Sequence, residues 1–225
     1  MKHPLVTAFM PAYNSEQYIR ASLEAVVAQD YPNVDIVVCD DGSTDSTGEI
    51  ARSFPQVRVV HQPNGGRASA CNTAIQASAG ELLTSFDADD LWPPNRISVQ
   101  VEYLQEHPEA GGVFGRQVWM NPPPWLGRDA VYGDLDGIPI GSVMLRRAVF
   151  DEVGGFDESF RHGEDMDLVV RLRAHGVKLD VLSEVVLYRR YHEGQMTANA
   201  PAVSPLLRSM REKLARERGE PAETV

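Results

Sequence analysis

The sequence predicts an α/β fold built on an open, mainly parallel sheet with helices on both faces. Four short apolar runs of strand length alternate with three helical patterns between residues 5 and 86. Such alternation is typical of βαβ units, in which each helix returns the chain to begin the next parallel strand. The apolar content is 43% of 225 residues, which is enough for one large domain with a core.

The first unit begins with an apolar strand from Leu5 to Met10, which ends before Pro11. A helix is predicted to follow, with Asn14 as its N-cap and Gln17 three residues later, as in a capping box. The apolar residues of this helix share one face at helical spacing: Ile19, Leu23, Val26 and Val27.

The next units repeat the pattern. The predicted elements are strand 34–39, helix 46–53, strand 57–60, helix 67–78 and a strand beginning at Leu82. The second helix opens on another Ser-x-x-Glu pattern, formed by Ser46 and Glu49, which predicts a second capping box. In open parallel sheets, ligands bind beyond the carboxyl ends of the strands. We therefore expect the four polar strand exits of this region to lie along one edge.

The pattern after Asp90 is less regular. The predicted elements are helix 93–104, strand 112–120, an irregular segment 121–138, strand 141–146, helical turn 147–153, helix 164–175, strands within 177–190 and an amphipathic tail helix from Ser204. In helix 164–175, inward packing is predicted for Met166, Val169, Val170 and Leu172. We predict one domain over 1–200, with a nucleotide-binding half 1–107 and a smaller, mixed half 108–200, followed by a helical tail 201–225.

Three carboxylates follow the Leu82 strand within four residues: Asp87, Asp89 and Asp90. Folding alone does not require like charges to be so close. Clustered carboxylates suit a hard divalent cation such as Mg2+ or Mn2+, which often links protein oxygens to substrate phosphates. The alternative from this stretch alone is a solvated acidic turn in which Asp89 or Asp90 caps the next helix.

Composition excludes several classes of function. A net charge of -11, without a strong basic patch, makes nucleic acid an unsuitable partner. Cys39 and Cys71 lie within apolar or helical patterns and are predicted to be reduced core residues. No stretch has the length and hydropathy of a membrane span. The protein is thus expected to be cytoplasmic, with peripheral contact at the inner membrane face as an alternative.

Several motifs, in order, resemble those of the family 2 inverting glycosyltransferases. They are Pro11-Ala12-Tyr13-Asn14, Asp40-Asp41-Gly42-Ser43-Thr44-Asp45, Asn64-Gly65-Gly66 with Asn72, Asp87-Ala88-Asp89-Asp90, Gly154-Gly155-Phe156-Asp157, Glu164-Asp165 and Tyr188-Arg189-Arg190-Tyr191-His192. The resemblance covers about residues 4–197. It implies the GT-A fold, with a Rossmann-like sheet, and transfer of a sugar from a nucleoside-diphosphate-sugar donor to an acceptor hydroxyl.

The resemblance also implies roles for the residues at the strand exits. The donor nucleotide would contact Pro11, Ala12 and Tyr13, whose ring offers a face for stacking on a base. Asp41 would accept a hydrogen bond from a base N–H, which favours UDP. Further predicted donor contacts are Gly66, Arg67, Asn72, Asp87 and Arg190.

The implied cofactor is Mn2+ or Mg2+, with Asp89 as first ligand and Asp90 and His192 as further ligands. The family places its catalytic base at the second residue of Glu164-Asp165, so Asp165 would take the acceptor proton and Glu164 would hold the acceptor. Helix capping alone asks for fewer carboxylates at this helix start.

Alternative functions remain at this stage. A nucleotidyltransferase shares metal carboxylates and a layered fold, but usually has a glycine-rich basic loop where this chain has Pro11-Ala12-Tyr13-Asn14. A non-catalytic donor-binding or scaffold module would be expected to have lost Asp165 or the acidic cluster, and both are present. The acceptor is predicted to be a glycan, a lipid-linked sugar or a small molecule, with a homodimer as an open option for the tail helix.

Overall fold

The computed structural model describes residues 3–121, 140–193 and 195. These residues form one seven-stranded sheet with the order β3-β2-β1-β4-β6-β5-β7. The strands are β1 Val6–Ala12, β2 Val34–Asp40, β3 Val57–His61, β4 Leu82–Ser85, β5 Gly112–Trp119, β6 Val143–Arg146 and β7 Leu179–Arg189.

Six α-helices and one 3-10 turn are described around the sheet. They are α1 Ile19–Val27, α2 Thr47–Arg52, α3 Arg67–Gln76, α4 Arg96–Glu106, the 3-10 turn Ile140–Ser142, α5 Arg147–Glu152 and α6 Glu164–Ala174. No described helix is long and apolar enough to cross a membrane.

The predicted α/β architecture is confirmed. β1 pairs in parallel with β2 and with β4, and β2 pairs in parallel with β3. Of the described strands only β6 runs against its neighbours, pairing antiparallel with β4 and β5. Since β1 to β4 point the same way, their carboxyl ends meet at one edge of the sheet, as the alternation of elements predicted.

Two apolar layers cover the sheet, one on each face. Side chains alternate between faces along a strand, so Ala8 and Met10 join the layer under α1 and α4, while Phe9 joins the layer under α3 and α6. The two predicted core cysteines, Cys39 and Cys71, are both free and buried in the second layer. Burial raises the pKa of the Cys39 thiol to about 12, so it stays protonated.

Both predicted capping boxes are wrong. The first helix begins at Ile19, not near Asn14, and its N-cap position is Tyr18. Asn14 instead adopts a positive φ of 46° and accepts a hydrogen bond from the Thr44 amide. Ser46 makes no side-chain cap. The two turns exchange caps, since Glu16 accepts from the Ser46 amide and Asp45 from the Glu16 amide.

Other differences concern boundaries and one helix face. The fourth helix begins at Arg96 rather than at residue 93, and the amide of Ile97 is capped by the Gln29 side chain, so Asp90 does not cap it. In α6, Val170 is 49% exposed, whereas Leu168 is buried, so the predicted inward face is shifted. Predictions for 122–138, for most of the segment after residue 193 and for the tail 201–225 lie outside the described residues.

Candidate active site

Asp41 organises the loop after β3. Its carboxylate accepts hydrogen bonds from the amides of Gly65 and Gly66, at 2.8 and 2.9 Å, and from Nε2 of Gln62 at 2.8 Å. Gly66 has a φ of 89°, a conformation that favours glycine. The predicted base contact is therefore buried and held rigidly by neighbouring backbone, next to the predicted donor contact Gly66.

Asp40, one residue earlier, has a separate set of partners. It accepts from the Ser43 amide at 3.0 Å and lies 3.2 Å from Nδ1 of His61. Burial opposes its ionisation, but hydrogen bonds from Ser43 and His61 keep the pKa of Asp40 below its ordinary value. A Cβ at Gly48 would lie 2.3 Å from the carboxylate, so this packing requires a glycine there.

The end of β1 supplies the aromatic residue of the site. The amide of Asp41 donates to the carbonyl of Ala12, which joins the exits of β1 and β2. Pro11 and Ala12 belong to the strand itself, and Ala12 is buried. Tyr13 follows with half of its surface exposed, so its ring is open to a ligand beside Asp41.

Two carboxylates of the acidic turn after β4 have different partners. Asp90 is buried and accepts the amide of Arg190 at 3.0 Å. Burial, reinforced by Asp87 and Asp89, raises the pKa of Asp90 to about 8. Oδ2 of Asp89 instead contacts Nε2 of His192 at 2.9 Å, across 103 residues of sequence.

The three predicted metal ligands are not brought together. Among residues 3–121, 140–193 and 195, no group of three or more His, Cys, Asp or Glu side chains is arranged to hold a metal ion. Asp89 and His192 do form an adjacent oxygen and nitrogen pair. This pair fits a cation that takes only one or two protein ligands and completes its shell with water and phosphate oxygens. Asp90, turned to the Arg190 backbone, departs from the prediction.

Tyr18 holds the segment that carries His192. Its ring centroid lies 4.5 Å from that of His192, and the guanidinium of Arg190 lies 5.0 Å from the same ring. The predicted donor contact Arg190 thus stacks on an aromatic residue at the start of α1. Sequence reasoning missed Tyr18, because a tyrosine at a helix start carries no signal of a partner more than 170 residues away.

Arg67 joins the two sides of the site. At the first position of α3, its Nη2 donates to Oδ1 of Asp87 at 2.9 Å and its Nη1 to Oε1 of Glu164 at 2.7 Å. Burial opposes ionisation of Asp87, but the charge and hydrogen bond of Arg67 keep its pKa below the ordinary value. We call these three residues the Arg67 bridge.

Glu164 and Asp165 begin α6, after Gly163 in the left-handed conformation. Glu164 is 4% exposed and is held by Arg67. Asp165 accepts the amide of Met166 at 2.8 Å. Burial and the neighbouring carboxylates of Glu164 and Asp87 raise the pKa of Asp165, against the opposing charge of Arg67. A carboxylate with a raised pKa is a stronger proton acceptor, which suits a general base.

Asn72, in α3, bonds to the segment that follows α5. Its amide donates to the Phe156 carbonyl and to Glu158, both at 2.9 Å, and its oxygen accepts from the Phe156 amide. These bonds connect α3 to the segment that contains Gly155. They use both the nitrogen and the oxygen of the Asn72 side chain, the atoms that were predicted to contact the donor. Its contact with the donor stays a prediction.

A second residue missed from the sequence is Arg96, which lies behind the acidic turn. It is fully buried, stacks 3.9 Å from the Trp92 ring and donates to Thr84 at 2.8 Å. The sequence predicted a helix that begins near this residue. The sequence pattern does not distinguish a buried arginine from a solvated one.

A comparison with protein families decides the assignment. The family model described as "Glycosyl transferase family 2" matches residues 7–156, two thirds of the chain, and includes the exits of β1 to β4. The chain belongs to glycosyl transferase family 2. A second model, "Glycosyltransferase like family 2", matches residues 135–219. The resemblance expected from the motifs is thereby confirmed, and the family makes the chain a glycosyltransferase.

Curated relatives of this family 2 chain are also named as glycosyltransferases. An uncharacterized glycosyltransferase of Rickettsia typhi is 29% identical over 88% of this chain and 67% of its own length. The Escherichia coli protein WfaP, named a UDP-Glc:alpha-D-GlcNAc-diphosphoundecaprenol beta-1,3-glucosyltransferase, is 28% identical over 87% of this chain and 80% of its own.

Solved structures support the fold of this family 2 chain. S. aureus TarS, residues 1–349 in complex with UDP-GlcNAc, matches with a TM-score of 0.75 and 23% identity, covering 88% of this chain and 61% of that one. A mannosyltransferase from Pyrobaculum calidifontis in complex with GDP-Man and Mn2+ gives 0.74 and 21%, covering 100% of this chain and 67% of that one. The GT-A architecture predicted from the sequence is confirmed.

Proposed function

We propose that this chain is a metal-dependent, inverting glycosyltransferase that moves a sugar from a UDP-sugar to an acceptor hydroxyl. The observation that carries the proposal is the 2.9 Å contact between Asp89 and His192 at the carboxyl edge of the sheet. It joins two predicted metal ligands from distant parts of the chain, next to the rigid Asp41 loop and the buried start of α6.

The nucleotide is assigned to the exits of β1 and β2. The exposed ring of Tyr13 offers a stacking face, and the Asp41 carboxyl group offers an acceptor for a base N–H. A uracil ring presents one such N–H. The UDP-sugars named for WfaP and for the TarS complex support this choice, whereas GDP-Man in the Pyrobaculum complex makes guanine the competing base.

Asp89 and His192 would hold the cation, with phosphate oxygens and water as its other ligands. When bound, Mn2+ or Mg2+ supplies positive charge that stabilises the departing nucleoside diphosphate. Arg190 stacks on Tyr18, the ring that His192 also contacts, and its guanidinium can bind a phosphate oxygen.

Asp165 is assigned the chemical step at the acceptor. Its carboxylate takes the proton of the acceptor hydroxyl while the hydroxyl oxygen forms a bond to the anomeric carbon. The bond between that carbon and the phosphate oxygen breaks, and its electron pair leaves with the nucleoside diphosphate. Attack from the face opposite the leaving group inverts the anomeric centre, so no covalent enzyme intermediate is needed.

The acceptor class is proposed from the relatives. WfaP is named for a sugar on diphosphoundecaprenol. We propose an acceptor hydroxyl on a growing glycan, which is consistent with a site that opens at one sheet edge. The pathway would then be the synthesis of a cell-surface polysaccharide or another glycoconjugate.

The proposal is tested by calorimetry of UDP, GDP and TDP binding, with and without Mn2+. We expect UDP to bind most tightly and to require Mn2+. Asp89→Ala and His192→Ala should each lose this Mn2+-dependent part, because each removes one ligand of the same ion. His61→Ala is the matched control, since His61 also contacts a carboxylate, that of Asp40, which is not assigned to the metal.

Each outcome has a clear meaning. Absence of binding by any nucleoside diphosphate, in the wild type with Mn2+, would contradict the proposed function. Tight GDP or TDP binding would overturn only the choice of base. Equal binding by the wild type and both ligand variants would overturn the assignment of Asp89 and His192 to the metal.

A further inference from the structure

The Arg67 bridge connects the two functional sides of the site with one side chain. Asp87 follows β4 on the predicted donor side, and Glu164 begins α6 beside the predicted base. Their contacts to Arg67 span 20 and 97 residues of sequence. The side chain of Arg67 is only 17% exposed and that of Glu164 only 5%, so both charges are largely shielded from solvent. Removal of one partner from an ion pair buried to this degree leaves an uncompensated charge, which is costly.

We propose that Arg67 is a positioning residue that fixes the start of α6, and with it Asp165, against the donor side of the site. The inference rests on the proposed function, because it assigns Arg67 to the reaction performed there. It replaces the direct donor contact expected for Arg67 from the sequence, since two carboxylates already take its two terminal nitrogens.

The geometry requires an arginine rather than a lysine. A guanidinium presents donors in a planar fork, so that one nitrogen can meet Asp87 while the other meets Glu164. A lysine ammonium is a point charge at the end of a flexible chain and cannot hold both carboxylates in a fixed relation. The bridge therefore sets a distance between two elements, in addition to balancing their charges.

The bridge also bears on the proton affinity of Asp165. The groups that face Asp165 are Glu164 on its own helix, Asp87 from the acidic turn and Arg67 from α3. The two carboxylates raise the pKa of Asp165, and Arg67 is the one cation among these groups that lowers it. Removing Arg67 leaves three neighbouring carboxyl groups without that cation. Asp165 should then hold its proton to higher pH than in the wild type.

The test measures the titration of Asp165 directly, in the full chain, by NMR of 13C-labelled aspartate carboxyl groups. Asp165→Asn identifies its resonance. In Arg67→Met we expect Asp165 to titrate at a higher pH than in the wild type. Arg58→Met is the matched control, because Arg58 pairs with Asp35 at the surface, where it is half exposed. The control should leave the Asp165 titration unchanged.

Arg67→Lys separates position from charge and covers the case in which Arg67→Met does not fold. It should keep the Asp165 titration close to that of the wild type, but lower kcat by on the order of ten- to a hundredfold with little change in the KM for the donor, because α6 is less well placed.

An Asp165 titration that is the same in Arg67→Met and in the wild type would overturn the inference, and so would a wild-type kcat in Arg67→Lys. The titration needs no donor. A failure of the proposed function, seen as no nucleotide binding by the wild type, is therefore distinct from a failure of the Arg67 bridge.

Discussion

The two regions that form the candidate site hold their carboxylates in different ways. At the exits of β1 to β3, Asp40 and Asp41 accept backbone amides from Ser43, Gly65 and Gly66. Around the acidic turn and α6, side chains from distant elements hold Asp89, Asp87 and Glu164, through the contact with His192 and the Arg67 bridge. Asp90 and Asp165 in this region each accept one backbone amide, from Arg190 and Met166.

This difference predicts which carboxylates contribute to the stability of the fold and which contribute to activity. A carboxylate that accepts several backbone amides is part of the folded loop, and its loss leaves buried donors unsatisfied. A carboxylate held by another side chain can exchange that partner for a ligand at small cost to the loop. We therefore expect substitutions in the first region to lower the free energy of unfolding, and substitutions in the second region to lower activity.

The largest effect is expected for Asp165→Asn. The amide keeps the size of the side chain but cannot take a proton, so kcat should fall by on the order of 10²- to 10⁴-fold. Binding of UDP with Mn2+ should be unchanged, because Asp165 is not assigned to the donor. Steady-state kinetics with the donor found in the nucleotide panel, together with calorimetry, provide the two measurements.

The matched control is Asp151→Asn, the same chemical change on exposed α5. It should leave both kcat and nucleotide binding at their wild-type values. A kcat for Asp165→Asn close to that of the wild type would contradict the assignment of the base. Loss of nucleotide binding in Asp165→Asn would instead show that the two sides of the site cannot be separated in this way.

The fold of the first region could be predicted because local pattern and topology agree there. Parallel βα units have strong periodicity and place their exits on one edge. The capping boxes failed, since the amides of Glu16 and Ser46, just before the two helices, are each bonded by a carboxylate of the other turn. A Ser-x-x-Glu pattern reports only local competition for amides, whereas here Glu16 and Asp45 find partners about thirty residues away.

The site could be predicted by residue type but not by pairing. The motifs identified Asp89, His192, Arg67 and Glu164 as candidates. The sequence does not show that Asp89 contacts His192, or that Arg67 contacts Glu164. Asn72 is a further example, since the sequence did not predict that its side chain bonds to the Phe156 backbone. Long-range packing decides these choices, and one sequence carries no record of it.

The next effect in size concerns stability, through Asp41→Asn. Asp41 accepts two backbone amides and the Gln62 amide while buried. The substitution puts an NH2 group where one of these donors points and removes the charge. We expect a loss of about 2 kcal/mol in the free energy of unfolding, from charge-assisted hydrogen bonds. Urea denaturation at pH 7 measures it.

Asp35→Asn is the comparison for this change, since Asp35 pairs with Arg58 at the surface. Exposed pairs contribute about 0 to 1 kcal/mol, so its effect should be clearly smaller. Equal losses for Asp35→Asn and Asp41→Asn would remove the distinction between a backbone-held and a side-chain-held carboxylate.

The smallest expected effect is a dependence of stability on pH that comes from Asp40. Its pKa in the folded chain lies below the ordinary value of 3.8, since hydrogen bonds from Ser43 and His61 outweigh burial. The ionised form is thus favoured by folding, and its contribution is full above pH 3.8 and is lost as the pH falls through the folded value. Asp40→Asn cannot titrate, so the difference in unfolding free energy between it and the wild type should shrink on acidification below pH 4.

Urea denaturation at several pH values measures this difference. A constant difference from neutral to acidic pH would mean that Asp40 acts only through its shape and neutral hydrogen bonds, and the comparison of the two regions would then rest on Asp41 alone.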